Sequence, residues 1–199
     1  MAYSDILKTR RSIYILNDQL PVSQAIVAGR IKEAISLSPT AFMMQDIHTV
    51  ILTGDNHKKL WDKDKIVYNT LQKIVPAEAF KRTEIKLNTF SQAAGTILLL
   101  RDLEAVERMK KEYATYADEM DNWSWQDLGI AMVNIWNSLA EINVGANIQH
   151  YNPLIDDEAK ATWNIPANYQ LVGQMVYGGI VSRPGDKERK SGDELVRVV

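Results

Sequence analysis

Two adjacent arginines and a serine stand near the start of the chain, in the stretch Thr9–Tyr14, TRRSIY. The planar fork of Arg10 or Arg11 matches phosphate oxygens, and the Ser12 hydroxyl adds a third donor. One reading of this trio is an anion site. The other is that basic residues close a short helix, whose carbonyl end is negative. A second basic run, Lys187-Glu188-Arg189-Lys190, lies near the opposite end of the sequence. Alone it reads as a solvated loop. Beside Arg10 it would bracket a dianionic phosphate from both ends of the chain, each charged hydrogen bond adding about 1.5–3 kcal/mol.

Two further segments carry usable groups. Ser38–Gln45, SPTAFMMQ, contains Pro39 and Thr40, which imply a fixed, non-helical backbone able to offer its groups to a flat ligand. It serves equally as a plain helix-to-strand turn, with Phe42 and Met43 as core. Ile148–Pro153, IQHYNP, puts the donors and acceptors of Gln149 and His150 at one spot. His150 reads equally as a satisfied structural histidine.

Protein-borne catalysis finds little support. There are no cysteines, and the three histidines, His48, His57 and His150, are widely separated. That excludes disulfides and a cysteine nucleophile, and no metal site is expected. No G-x-S-x-G elbow accompanies Ser12, and neither a Walker A loop nor a G-x-G-x-x-G loop is present. The net charge of −2 argues against binding nucleic acid through the whole surface. The longest apolar run is short, around Thr96–Leu100, and no apolar run follows the first basic residues. A soluble cytoplasmic protein without membrane or nucleic-acid partners is therefore expected. Its 199 residues suit a single domain over 1–199.

The elements that must position these groups can be read from periodicity. Ser4 opens a short helix that ends at the arginines. Ser23 caps a second, whose apolar Ile26, Val27, Ile31, Ala34 and Ile35 share a face until Pro39. Ile47–Gly54 reads as a strand. Asp55 then caps one long helix running to Val75, followed by a mostly polar helix over Ala77–Ala94. Gly95–Asp102 reads as a buried central strand. Leu103–Met120 reads as an exposed helix, and Trp125–Asn143 as the central buried one. A strand begins at Gly145, a short acidic helix follows, and Tyr169–Ile180 reads as a strand. The closing LVRVV reads as a last strand or arm. This irregular interleaving of helices and strands indicates an α+β fold.

Taken in order, RRSIY, SPTAFMMQ, VILTGDNHKKLWD, AAGTILLL, the long Trp-containing helix and NVGANIQHYNPLID resemble the FMN-dependent nitroreductases. The similarity is greatest to the short subgroup of fatty-acid-repression-mutant type, and it covers essentially the full length. IQHYNPLI and GDNHKKLWD are its most specific motifs. The resemblance implies a central mixed β-sheet flanked by helices, and an intertwined homodimer with FMN at the interface. It also implies NADH or NADPH as hydride donor and a nitroaromatic or quinone acceptor. The hydride chemistry then belongs to FMN, and no side chain is named as catalytic.

By the same resemblance, Arg10, Arg11 and Ser12 meet the FMN phosphate and ribityl chain, with Lys187 and Arg189 at the phosphate. Gln149 and His150 approach the ring. Pro39, Thr40, Ala41, Met43 and Gln45 reach it from the partner subunit. One departure stands out: Met43 and Met44 replace the asparagine and serine usual in that loop, and His48 stands where arginine is common. That departure keeps open a flavin-binding sensor with little turnover. A phosphate-ligand binder unrelated to flavin is a third reading.

Overall fold

A computed structural model describes residues 2–199, so Met1 of the expected domain lies outside the described residues. The first helix, α1 (Tyr3–Thr9), begins after Ala2, so Ser4 lies within it rather than capping it. Strand β1 (Ile15–Asn17) follows. Ser23 caps α2 (Gln24–Ser36), accepting the Ile26 N–H, and Val27, Ile31 and Ala34 face inward as the periodicity requires. Then come β2 (Ile47–Thr53), α3 (Gly54–Trp61), α4 (Ile66–Ile74) and α5 (Ala77–Ser91). Strand β3 (Gly95–Asp102) leads into α6 (Leu103–Glu112) and α7 (Met120–Glu141). The chain closes with β4 (Gly145–Gln149), α8 (Asp156–Trp163), β5 (Tyr169–Ser182) and α9 (Gly192–Leu195).

Several boundaries differ from the sequence reading, each for a local reason. The expected helix from Asp55 to Val75 breaks after Trp61, where Asp62 turns extended at ψ 161°, and Asp64, at a left-handed φ of 60°, keeps the helix from resuming before Ile66. Asp55 sits inside α3, which starts at Gly54. The exposed helix after Asp102 stops at Glu112, where Tyr113 leaves helical space, and a tight 3₁₀ segment, Ala114–Glu119, leads into α7. The long helix α7 accordingly starts at Met120, upstream of Trp125. The closing LVRVV forms no strand; α9 ends at Leu195 and the rest is extended and exposed.

Strand β3 is central, between β2 and β5, and β5 also pairs with β4 and β1. All four of these ladders are antiparallel. A single parallel bridge, Ser12 to Ala146, makes the sheet mixed. The period-two alternation of β3 sorts its side chains between two layers. Ile97 and Leu99 pack with α2 and α7, against Val27, Ile31, Leu128 and Ile135. Leu98 and Leu100 pack on the opposite face with Trp61, Leu87 and Phe90 of α3 and α5. None of these eleven core side chains has more than 3 % of its surface exposed.

Thr96 organises the polar centre of that second layer. Its hydroxyl oxygen accepts the Trp61 Nε1–H at 2.7 Å and donates to His57 Nδ1 at 2.9 Å. His57 Nε2–H donates to the Phe90 carbonyl at 3.0 Å, which fixes the neutral tautomer. Burial holds the His57 pKa below its ordinary 6.5. The unfolded chain takes that proton and the folded one resists it, so this stability is present above about 6.5 and is lost as pH falls. Thr96→Val keeps the shape but strands the indole N–H and an imidazole nitrogen. A loss of about 1–3 kcal/mol is expected in urea unfolding at neutral pH. A midpoint equal to wild type would show that Thr96 carries no such role.

Candidate active site

Arg10 is the residue that ends α1; its N–H bonds the Ile6 carbonyl at 2.8 Å. The bridge at Ser12 and the bond from Ile13 N–H to the Ala146 carbonyl, 2.9 Å, then lay this segment along β4. The Arg10 guanidinium lies 4.7 Å from the Trp136 ring centre on α7. Arg11 Nη2 donates to the Gly185 carbonyl at 3.1 Å, which ties the start of the chain to its tail. Four residues farther along the tail, Arg189 comes close enough to act on Arg10. Burial, then Arg189, then Arg11, lower the Arg10 pKa. Lys187 is exposed in the same tail segment.

Like charges are therefore gathered rather than dispersed. The ion pairs among the described residues join Arg30 to Glu33 and Glu141, Arg101 to Asp121, and Lys110 to Glu107. None uses Arg10, Arg11, Lys187 or Arg189. A cluster of cations without a carboxylate partner costs free energy, and an anion with several oxygens removes that cost. Of the two readings of TRRS, the anion site gains from this geometry. Arg10 also does cap a helix, so the bland reading describes the same residue.

A row of amides adjoins the cluster. Asn147 and Gln149 lie two apart on β4 and so point to one face. Asn147 Nδ2 donates to the Ile13 carbonyl at 2.9 Å, and Gln149 Nε2 donates to Asn147 Oδ1 at 2.7 Å. Gln174 stands opposite Gln149 in the β4–β5 ladder. Its Oε1 accepts the Tyr151 N–H at 2.9 Å, while its buried Nε2 has no acceptor among the described residues. His150 follows at the end of β4, exposed, with its ring beside Gly173; a Cβ on Gly173 would meet that ring at 3.6 Å.

The loop Pro39–Gln45 is not part of this cluster within one chain. It packs on the first half of α7: Ala41 N–H donates to the Asp127 carboxylate at 2.9 Å, and Phe42 stacks with Tyr113 and Trp123. Trp136, which receives Arg10, is nine residues farther along that helix, about 13 Å at 1.5 Å per residue. Pro39 and Gln45 are exposed, and Thr40 is half-buried. Phe42 and Met43 point outward, 45 % and 73 % exposed, so neither is core. Trp123 packs with Phe42 and Tyr116, whereas Trp125 is exposed and faced by Arg101 at 4.3 Å.

Sequence reasoning overlooked Asn147, Gln174, Trp136 and Asp127. The alternation Asn147, Gln149 in an otherwise apolar strand was a usable signal for the first. Asp127 carries no such mark, because its partner Ala41 is distant in sequence.

Comparison with known proteins gives the family. A family described as the nitroreductase family matches residues 7–179. The Saccharomyces cerevisiae nitroreductase FRM2 is 27% identical over 189 residues, which is 93% of this chain and 91% of that relative. The Lactococcus lactis nitroreductase CinD, solved in complex with nicotinic acid, is 40% identical. It superposes with a TM-score of 0.91, over 100% of both chains. The same CinD has been solved with chloramphenicol and with 4-nitrophenol, at TM-scores of 0.89. With its sheet, its helices and nearly its whole length matched, this chain belongs to the nitroreductase family.

Proposed function

We propose that the chain is an FMN-dependent NAD(P)H oxidoreductase that reduces nitroaromatic or quinone compounds. The observation that carries this reading is the convergence of Arg10, Arg11 and Arg189, none of them in an ion pair among the described residues. That donor set fits a dianionic phosphate on a larger ligand. The amide row, with the orphaned Gln174 Nε2, fits the polar edge of a heteroaromatic ring. Bound FMN would supply the hydride chemistry.

The chain's own task is placement. Arg10, Arg11, Lys187 and Arg189 hold the phosphate, and Ser12 donates beside it. Asn147 orients Gln149 toward the ring, and His150 borders the same edge. The loop Pro39–Gln45 reaches the ring of a second copy, as the family resemblance implies. A homodimer also explains why Phe42, Met43, Ile130 and Val133 are left exposed. Donor and acceptor use one open ring face in turn, which makes the kinetics ping-pong. CinD, with chloramphenicol and 4-nitrophenol in its complexes, supports a flat nitroaromatic acceptor.

Visible spectroscopy tests the reading. The purified protein, supplemented with FMN, should be yellow, bleach with NADH or NADPH, and recover its colour with a quinone. A colourless protein after FMN addition would refute the flavin site. A yellow protein that nicotinamide nucleotides cannot bleach would refute turnover and favour the sensor.

A further inference from the structure

The connection between α2 and β2 departs furthest from relaxed backbone. Phe42, Met43 and Gln45 take left-handed φ values of 50°, 56° and 51°, and none is glycine. Such conformations persist only where the surroundings over-determine them. Here the surroundings are the aromatic rings around Phe42, the apolar cluster around Met44 and one polar stripe of α7. Asn134 Nδ2 donates to Ser38 Oγ at 2.9 Å before the loop, and Ser124 bonds the Asp46 carboxylate after it. Between them, Ala41 N–H donates to both carboxylate oxygens of Asp127, at 3.2 and 2.9 Å. Within the loop only Gln45 N–H to Thr40 Oγ1, 3.0 Å, adds a side-chain bond.

Asp127 is only 4% exposed and has no ion-pair partner among the described residues. A buried carboxylate whose bond partner is a loop amide contributes little to packing, and its role lies in what it holds. We infer that Asp127 is a positioning residue whose carboxylate fixes Ala41 and thereby the outward presentation of Phe42 and Met43. This rests on the reading of that loop as a wall of the flavin and acceptor site.

The charged groups around Asp127 set its sensitivity to acid. The loop itself carries no charged residue between Ser38 and Gln45. Asp46, at the start of β2, is buried and repels it. Arg101 on β3 is engaged by Asp121 and Ser124, and His48 on β2 stacks with Tyr169. Burial therefore dominates, aided by Asp46 and opposed by the Ala41 N–H, and raises the carboxyl to about 6. The anion is present at neutral pH and holds the loop; protonation below about 6 weakens that hold.

Amide exchange of the full-length protein without added flavin reads this directly. The protection factor of the Ala41 amide, corrected for intrinsic exchange, should fall about tenfold between about pH 7.5 and pH 5. Its midpoint should lie near 6. In Asp127→Asn the protection should be low and independent of pH, while the α7 core stays protected. A wild-type protection factor that is flat over this range overturns the inference, whether or not the variant folds. So does an Asp127→Asn protein that matches wild type at neutral pH. FMN binding is scored separately: a titrating Ala41 amide in a chain that binds no FMN would remove the flavin reading and leave Asp127's hold on the loop intact.

Discussion

Arg10→Ala is expected to weaken FMN binding by about 10- to 150-fold, the equivalent of one charge-assisted hydrogen bond to phosphate. The same substitution leaves the fold close to wild-type stability. Two opposing contributions produce that balance. The guanidinium loses its contact with Trp136, worth about 0.5–1 kcal/mol for a partly exposed cation over a ring. In return the repulsion from Arg189 and Arg11 disappears. A flavin-quenching titration beside a thermal melt separates the two effects. Unchanged FMN affinity with a lowered melting temperature would make Arg10 a structural helix end and nothing more.

The second large effect is on the fold. Arg101 is 1% exposed and is satisfied on every side. Its Nη2 pairs with Asp121 at 2.5 Å, its Nε donates to Ser124 Oγ at 2.8 Å, and its Nη1 donates to Gln170 Oε1 at 3.0 Å. Ser124 in turn bonds Asp46, whose carboxyl is pushed up by burial and held down by Ser124 and by the Arg101 charge. Arg101→Met removes the cation and leaves Asp46 buried and uncompensated. The expected cost is about 2–4 kcal/mol, discounted because Asp121 is half exposed. For a chain of this length that lowers the melting temperature by roughly 4–16 °C. A melt within about 2 °C of wild type would mean that apolar packing replaces the network without loss.

Particular residues show what could and could not be read in advance. Gly95–Asp102 was legible as a central strand because its apolar run is bounded by glycine and charge, and both of its faces are covered. Helix α2 was legible because Ser23 and Pro39 mark its ends and its apolar spacing is regular. The break at Asp62–Lys65 was hidden, since Leu60, Trp61, Val67 and Leu71 keep a helical rhythm across it. The extended Asp62 and Lys65 and the left-handed Asp64 interrupt the helix there. Strand β1 escaped notice because three residues carry little pattern, and its pairing depends on the distant end of β5.

The site divides in the same way. Arg10, Arg11 and Arg189 were legible as charges in search of a partner, although their meeting is a matter of topology. The tail reaches Arg11 through Gly185, 174 residues away. Asp127 was not legible at all. In the sequence it is one of several polar residues in the first half of a long helix; in the fold it sits under a strained loop, 86 residues from the amide it binds.

The central claim is that cations from both ends of the polypeptide grip the phosphate of the flavin. The relative affinity of the wild-type protein for FMN and for riboflavin, which lacks only that phosphate, tests it most directly. If the cluster of Arg10, Arg11 and Arg189 binds phosphate, FMN should bind at least about 100-fold more tightly, as two or more charge-assisted bonds require. Riboflavin binding within threefold of FMN would contradict the account.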